Sequence, residues 1–97
     1  MKRDSSIASA SEAEIIALKV LGFLAEEPDR LRRFMDLSGL DLGAIRNRAS
    51  EPGFLGAVLD HLLGDESLLL VFAADNAISP DRILKLRRKL PGAALDL

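Results

Sequence analysis

The chain of 97 residues contains no cysteine, tryptophan or tyrosine, and His61 is its single histidine. Without cysteine there is no disulfide, no thiolate nucleophile and no thiolate-bound metal, a composition that suits a reducing compartment. No glycine-rich phosphate loop is present. A serine–histidine–aspartate triad would have to use His61, which lies in an apolar stretch typical of packing residues. We therefore predict a protein that is not an enzyme and that has neither a metal nor a cofactor.

Strand-forming residues and long apolar runs are also scarce. Threonine is absent, whereas alanine, leucine, arginine and glutamate, which favour helices, are abundant. No apolar run approaches the roughly 18 residues that a membrane-spanning helix needs. Glu12, Glu14 and Lys19 interrupt the one stretch that is similar to a signal peptide. We therefore expect a cytoplasmic protein without membrane contacts.

The apolar periodicity and the helix-start residues predict an all-α fold, a compact bundle of about six short helices. Ser11 and Glu14 match a capping box. Pro28 and Pro80 occupy positions typical of the first helical turn, and Asp41 is a suitable N-cap. The predicted single helical domain covers residues 11–92, between a flexible N-terminal arm, residues 1–10, and a frayed tail, residues 93–97.

One stretch, residues 68–74, contains no polar side chain. A short apolar run has no periodicity that separates a strand from a helix. Asp65 as N-cap and Glu66 in the first turn favour the helix. Since no face of this stretch is polar, we predict a central helix over residues 66–75 that is buried on all sides.

The two halves of the chain are similar when one is shifted by 38 residues. The shift places Phe34 on Phe72 and Asp41 on Ser79, and it aligns the apolar positions of both halves. We therefore predict two similar three-helix units, approximately residues 11–50 and 51–91. Two copies are too few for an open solenoid, so they should pack face to face.

The last predicted helix, residues 80–90, is basic. Helical spacing places four of its side chains on one arc: Arg82, Lys85, Arg88 and Lys89. With the preceding turn, this segment is similar to a helix-turn-helix, and the arc is a candidate nucleic-acid contact. Ala77, however, stands where that motif prefers glycine, although Asn76 beside it can take the left-handed conformation. A basic arc is also typical of an ordinary solvated face.

The main interpretation is a protein-interaction module or a small homo-oligomer, and nucleic-acid binding is the alternative. Leu84 lies outside the inward face of the last helix, which favours a protein partner or self-association. A second candidate site is a polar cluster formed by four neighbouring residues: Asp60, His61, Asp65 and Glu66. Capping and packing account equally well for these four residues.

Several stretches resemble those of short bacterial helical proteins grouped as domain of unknown function family 3572. The most specific resembling run begins at Asp60-His61-Leu62-Leu63 and continues through Asp65-Glu66-Ser67-Leu68-Leu69-Leu70. Further resembling stretches are Phe23-Leu24-Ala25-Glu26-Glu27-Pro28, Ser38-Gly39-Leu40 and Leu90-Pro91-Gly92. The resemblance implies a small all-helical domain, and because the family has no assigned activity it carries over no functional residue.

Overall fold

A computed structural model describes the backbone of residues 5–92 and the side chains of residues 11–92. This part of the chain forms six helices and no strand: α1 Ser5–Ala25, α2 Pro28–Ser38, α3 Leu42–Arg48, α4 Pro52–Leu63, α5 Glu66–Asp75 and α6 Pro80–Arg87. The predicted all-α bundle of about six helices is confirmed. Among the described helices, none has both the length and the apolar content needed to cross a bilayer.

The helices begin at residues that satisfy their free backbone N–H groups. The carboxylate of Asp41 accepts a hydrogen bond from Ala44 N at 2.8 Å, and Asp65 accepts one from Leu68 N at 3.2 Å. The Ser79 hydroxyl likewise accepts from Arg82 N at 3.0 Å. These three caps confirm the predicted starts of α3, α5 and α6.

The first helix begins at Ser5, six residues before the capping box predicted at Ser11. Ser11 therefore lies inside α1, where the small serine and alanine residues that precede it continue the helix. The predicted tail, residues 93–97, and the first four residues of the predicted arm lie outside the described residues.

The centre of the bundle lies between α1 and α4, the two longest helices. α1 packs against α4, α2 and α6, and α4 also packs against α5 and α6. The fully buried residues on these two helices are Ala13, Ala17, Val20 and Leu24 on α1 and Val58, Leu59 and Leu62 on α4. The small side chains of Ala13 and Ala17 leave room for the helices that pack on α1, so the core forms around α1 and α4.

The helix predicted over residues 66–75 is α5, but the prediction that it is buried on all sides is wrong. Only Phe72 and Ala73 of α5 are buried, whereas Leu70 is 52% exposed and Val71 is 43% exposed. An all-apolar run does not reveal which side of a helix faces the core. α1 and α4 occupy the centre, and α5 packs against α4 and α6 from outside.

Two aromatic contacts in the structure are related to each other by the 38-residue shift of the predicted duplication. The ring of Phe34 lies edge-to-face on His61, with 5.1 Å between centroids, and Phe72 lies likewise on Phe23 at 5.4 Å. The 38-residue shift carries Phe34 to Phe72 and Phe23 to His61. Each contact therefore joins the two halves, as face-to-face packing of similar units predicts.

The similarity does not extend to the whole bundle. α6 packs on both α1 and α4, and within residues 5–92 α3 makes no comparable packing. The division into two equivalent units therefore stays a prediction, which the aromatic contacts support and the positions of α3 and α6 do not.

Candidate functional site

The four residues of the predicted polar cluster take separate positions. The carboxylate of Asp60 accepts two hydrogen bonds from Arg87, at 2.6 Å from Nε and 3.0 Å from Nη2. Asp65 caps α5, and Glu66 is an exposed acidic residue in the first turn of the same helix. The structure thus gives Asp60 and Asp65 partners outside the cluster.

Arg87 is the buried charge of this region, with 5% of its surface exposed. Besides pairing with Asp60, its Nη1 donates to the carbonyl oxygens of Leu90 at 3.0 Å and Pro91 at 3.2 Å. One guanidinium therefore holds the end of α6 and the following turn against α4. This geometry uses the planar, multiply donating character of arginine.

A glycine makes room for the Arg87 guanidinium. A Cβ on Gly56 would lie 2.8 Å from the carbonyl oxygen of Pro91 and 3.0 Å from Cζ of Arg87. Gly56 is buried and lies one turn before Asp60 on α4. Arg87 was not predicted as a site residue, because only the outward-facing basic residues of the last helix were considered. The signal that pointed to it was the spacing of Gly56 and Asp60, which places both residues on one face of α4.

His61 is half-buried, and its ring packs on Phe34. Its Nε2 is buried and has no hydrogen-bond partner within the described part of the chain. Burial lowers the pKa of His61 below its ordinary value of 6.5, Asp65 opposes this change, and Arg33 adds to it. Through this contact with Phe34, the imidazole of His61 joins α4 to α2.

The lowered pKa of His61 predicts a pH dependence of stability. The unfolded chain takes up a proton at His61 more readily than the folded chain does, so the free energy of unfolding should fall as pH drops below about 6.5. His61→Phe should remove this slope between roughly pH 5 and 6.5, where few carboxylates titrate. Urea denaturation at several pH values measures it. An unchanged slope in the variant would assign the effect to other groups.

The four residues of the basic arc all lie at the surface, but two of them have acidic partners. Nη2 of Arg82 lies 2.5 Å from a carboxylate oxygen of Glu12 on α1, and Nζ of Lys85 lies 3.5 Å from Asp81 on its own helix. Arg88 and Lys89 follow the last residue of α6 and are exposed. The positive charge of the arc is therefore partly offset by Glu12 and Asp81.

The left-handed residue in the turn before α6 is Ala77, with a φ of 52°, whereas the φ of Asn76 is −111°. The Nδ2 of Asn76 donates to the Phe72 carbonyl oxygen at 3.0 Å and so helps to end α5. The left-handed conformation therefore falls on Ala77, the position at which the helix-turn-helix motif prefers glycine.

Ala77→Gly should stabilise the protein. An L-residue in the left-handed region costs about 1 kcal/mol relative to glycine, and the greater freedom of glycine in the unfolded chain offsets part of this gain. We therefore expect the free energy of unfolding to rise by roughly 0.5 kcal/mol. Urea denaturation measures the change, and Ala74→Gly, at an exposed helical position, should have the opposite sign. A loss of stability in Ala77→Gly would contradict the assigned turn.

An open cleft of about 430 Å³ lies between the second half of α1 and the end of α5. Its lining residues are Lys19, Gly22, Phe23, Glu26, Asp75 and Asn76. Gly22 is exposed, and a Cβ added to it would meet no atom within 4 Å. The chain thus leaves bare helical backbone on one wall of this cleft.

Exposed apolar side chains occur on both helices that line the cleft. Ile15 is 54% exposed and Leu18 is 46% exposed, and helical spacing places them on the same face of α1 as Gly22. On α5, Val71 is 43% exposed and lies one turn before Asp75. We call these four residues, Ile15, Leu18, Gly22 and Val71, the α1/α5 surface. This surface was not predicted, because the sequence pattern indicated an α5 that is buried on all sides.

The described residues contain no group of three or more histidine, cysteine, aspartate or glutamate residues placed to hold a metal ion. The lining of the cleft combines Phe23 with the carboxylates of Glu26 and Asp75 and the ammonium of Lys19. Two carboxylates and one ammonium give this lining a net negative charge.

The fold and this surface together define a small all-α bundle with partly exposed apolar helix faces. The chain belongs to the family described as Protein of unknown function (DUF3572), whose model matches residues 10–93. The family resemblance drawn from the sequence is confirmed. No curated protein matches the chain, and no solved structure matches it.

Proposed function

We propose that this chain is a non-enzymatic protein-interaction module that binds a helix of its partner along the α1/α5 surface. The observation that carries the proposal is the exposure of Ile15 and Leu18 on α1 and of Val71 on α5, the two helices that line the cleft. Exposed apolar residues on two helices that flank a cleft match the way in which a partner helix docks into a groove.

The spacing of the α1 residues supports a helical partner. Ile15, Leu18 and Gly22 follow one another at intervals of three and four residues, the spacing by which one helix contacts another. A large side chain followed by glycine lets a partner helix approach the backbone closely at one point. Burial of Leu18 and Val71 on binding would supply apolar driving force in proportion to the area covered.

The polar residues near the core support a role without catalysis. Asp60 is paired with Arg87, and Asp65 caps α5. His61 packs on Phe34 with a pKa lowered by burial. Structural roles therefore account for each of these residues.

A selection from a library of helical peptides tests the proposal, with the full chain as target. We expect selected peptides to bind the wild-type chain and to lose at least about tenfold in affinity against Leu18→Glu, because the variant places a charge in an apolar contact. Leu37→Glu is the matched control, since Leu37 is 67% exposed and lies on α2. The proposal would be contradicted if the selected peptides bound Leu18→Glu and Leu37→Glu equally well. It would also be contradicted if no peptides were enriched that bind the wild-type chain more tightly than Leu18→Glu.

Nucleic-acid binding through α6 is the second candidate function, and the exposure of the basic arc favours it. Fluorescence anisotropy with labelled duplex DNA across a salt series tests it, beside a variant with Arg82, Lys85, Arg88 and Lys89 changed to glutamate. Binding that weakens steeply with salt and disappears in the variant would support phosphate contacts. Absence of binding even at about 50 mM salt would contradict this candidate function, and the partial offset of the charge by Glu12 and Asp81 would explain that result.

A further inference from the structure

We infer that the partner helix of the α1/α5 surface is basic and places a lysine or arginine side chain in the cleft, between Glu26 and Asp75. This inference rests on the proposed function, and it adds the chemical class of the partner. Three features of the described residues carry it: the position of Gly22, the charge of the cleft and the poor fit of a second copy.

Neither a contact nor a backbone conformation within the described chain explains why position 22 is a glycine. It is exposed in the interior of the 21-residue helix α1, where glycine is less stable than alanine. No heavy atom lies within 4 Å of the position that its Cβ would take, and its φ is not positive. A close approach by another molecule explains a glycine at this place, since the missing Cβ lets a side chain reach the helix backbone.

The far end of the cleft is negative. Glu26 follows the last residue of α1, and Asp75 is the last residue of α5. The C-terminal ends of both helices therefore add their partial negative charge to the two carboxylates. Arg30 is also close to Phe23, with its Cζ 4.1 Å from the ring centroid and its Nη1 donating to the Phe23 carbonyl oxygen at 3.4 Å, but it is not among the residues that line the cleft.

Lys19 is the cation that lines the cleft itself, against two carboxylates. A partner that inserted an acidic side chain would place it beside Glu26 and Asp75 and would be repelled. A partner with a lysine or arginine would complete the charge balance of the cleft. The exposed apolar residues of the α1/α5 surface would contact an apolar stripe on the same partner, so the fitting segment is an amphipathic basic helix.

A second copy of the chain fits this surface less well. In a two-fold dimer the same surface faces itself, and Lys19 is the one cation that a copy would bring within the cleft lining. The basic arc of α6 on a copy would supply cations, but that contact is head-to-tail and leaves both ends open to further copies. We therefore commit to a different protein as the partner.

Two designed peptides test the inference against the full chain. Both are capped helical peptides of about 18 residues with the same leucine and alanine face; one carries two lysines toward one end of that face, and the other carries two glutamates there. We expect the lysine peptide to bind about tenfold more tightly by fluorescence anisotropy, a difference of about 1.4 kcal/mol. The double variant Glu26→Gln/Asp75→Asn should make the two affinities equal.

A second variant tests the position of the contact. Gly22→Leu fills the cleft wall at a site with no neighbouring atom, so the helix should remain intact by circular dichroism while both peptides lose binding. Equal binding of the two peptides to the wild-type chain, with loss in Gly22→Leu, would overturn the basic partner but leave the docking surface standing. Failure of both peptides to bind would count against the inference and the proposed function together, as would self-association by sedimentation that Gly22→Leu abolishes.

Discussion

Arg87→Ala should lower the free energy of unfolding by about 2–3 kcal/mol, among the largest effects of any single substitution in this chain. Arg87 is 5% exposed and binds both carboxylate oxygens of Asp60 and the carbonyl oxygens of Leu90 and Pro91, so its removal leaves four acceptor oxygens without their donor. Because the Asp60 side chain is 46% exposed, water replaces part of what is lost, and we place the effect below that of a fully buried pair.

Urea denaturation of three variants distinguishes stabilisation by the Arg87 hydrogen bonds from a general effect of removing a positive charge. Arg87→Lys should recover only part of the stability, because one ammonium cannot reach Asp60 and both carbonyls in the same geometry. Arg88→Ala is the matched control at the adjacent exposed position and should change stability by less than about 0.5 kcal/mol. Equal losses in Arg87→Ala and Arg88→Ala would show that the observed contacts do not stabilise the fold.

Phe72→Ala should cost about 3–5 kcal/mol, enough to unfold much of the protein at room temperature. The side chain is fully buried, and its ring contacts Phe23 edge-to-face. Phe34, which is 2% exposed and contacts His61 in the same manner, should give a similar loss on replacement by alanine. Similar values would support equivalent roles for the two residues in the two halves.

Milder substitutions keep the comparison measurable if the alanine variants do not fold. Phe72→Leu and Phe34→Leu retain most of the apolar volume and should each cost roughly 1–2 kcal/mol. Leu37→Ala, at an exposed position of α2, should change stability by less than about 0.5 kcal/mol. A loss for Phe72→Leu no greater than that of Leu37→Ala would contradict its place in the core.

The local part of the fold was predictable because helix starts depend on neighbouring residues. Asp41, Asp65 and Ser79 each accept a hydrogen bond from a backbone N–H three residues later, so the sequence alone indicates them. The burial of α5 was not predictable in this way. α5 has more apolar residues than α4 and α6 can cover. Which of these residues remain exposed depends on how the other helices pack.

The ion pairs near the candidate sites were also not predictable, because they join residues that are far apart in the sequence. Glu12 lies 70 residues before Arg82, and Asp60 lies 27 residues before Arg87, so helical periodicity within one segment does not reveal either ion pair. The α1/α5 surface also joins residues from opposite halves of the chain. Its one local signal was Gly22, a glycine in the middle of an otherwise strongly helical stretch.

The two aromatic contacts between the halves have a consequence for synthesis on the ribosome. Phe34 packs on α4, and Phe23 is covered by Phe72 of α5, so the first three helices do not close a core among themselves. α1 also packs on α6, the last of the six described helices. Part of the apolar face of α1 therefore stays uncovered until α6 has been synthesised, and we expect the domain to fold as one cooperative unit.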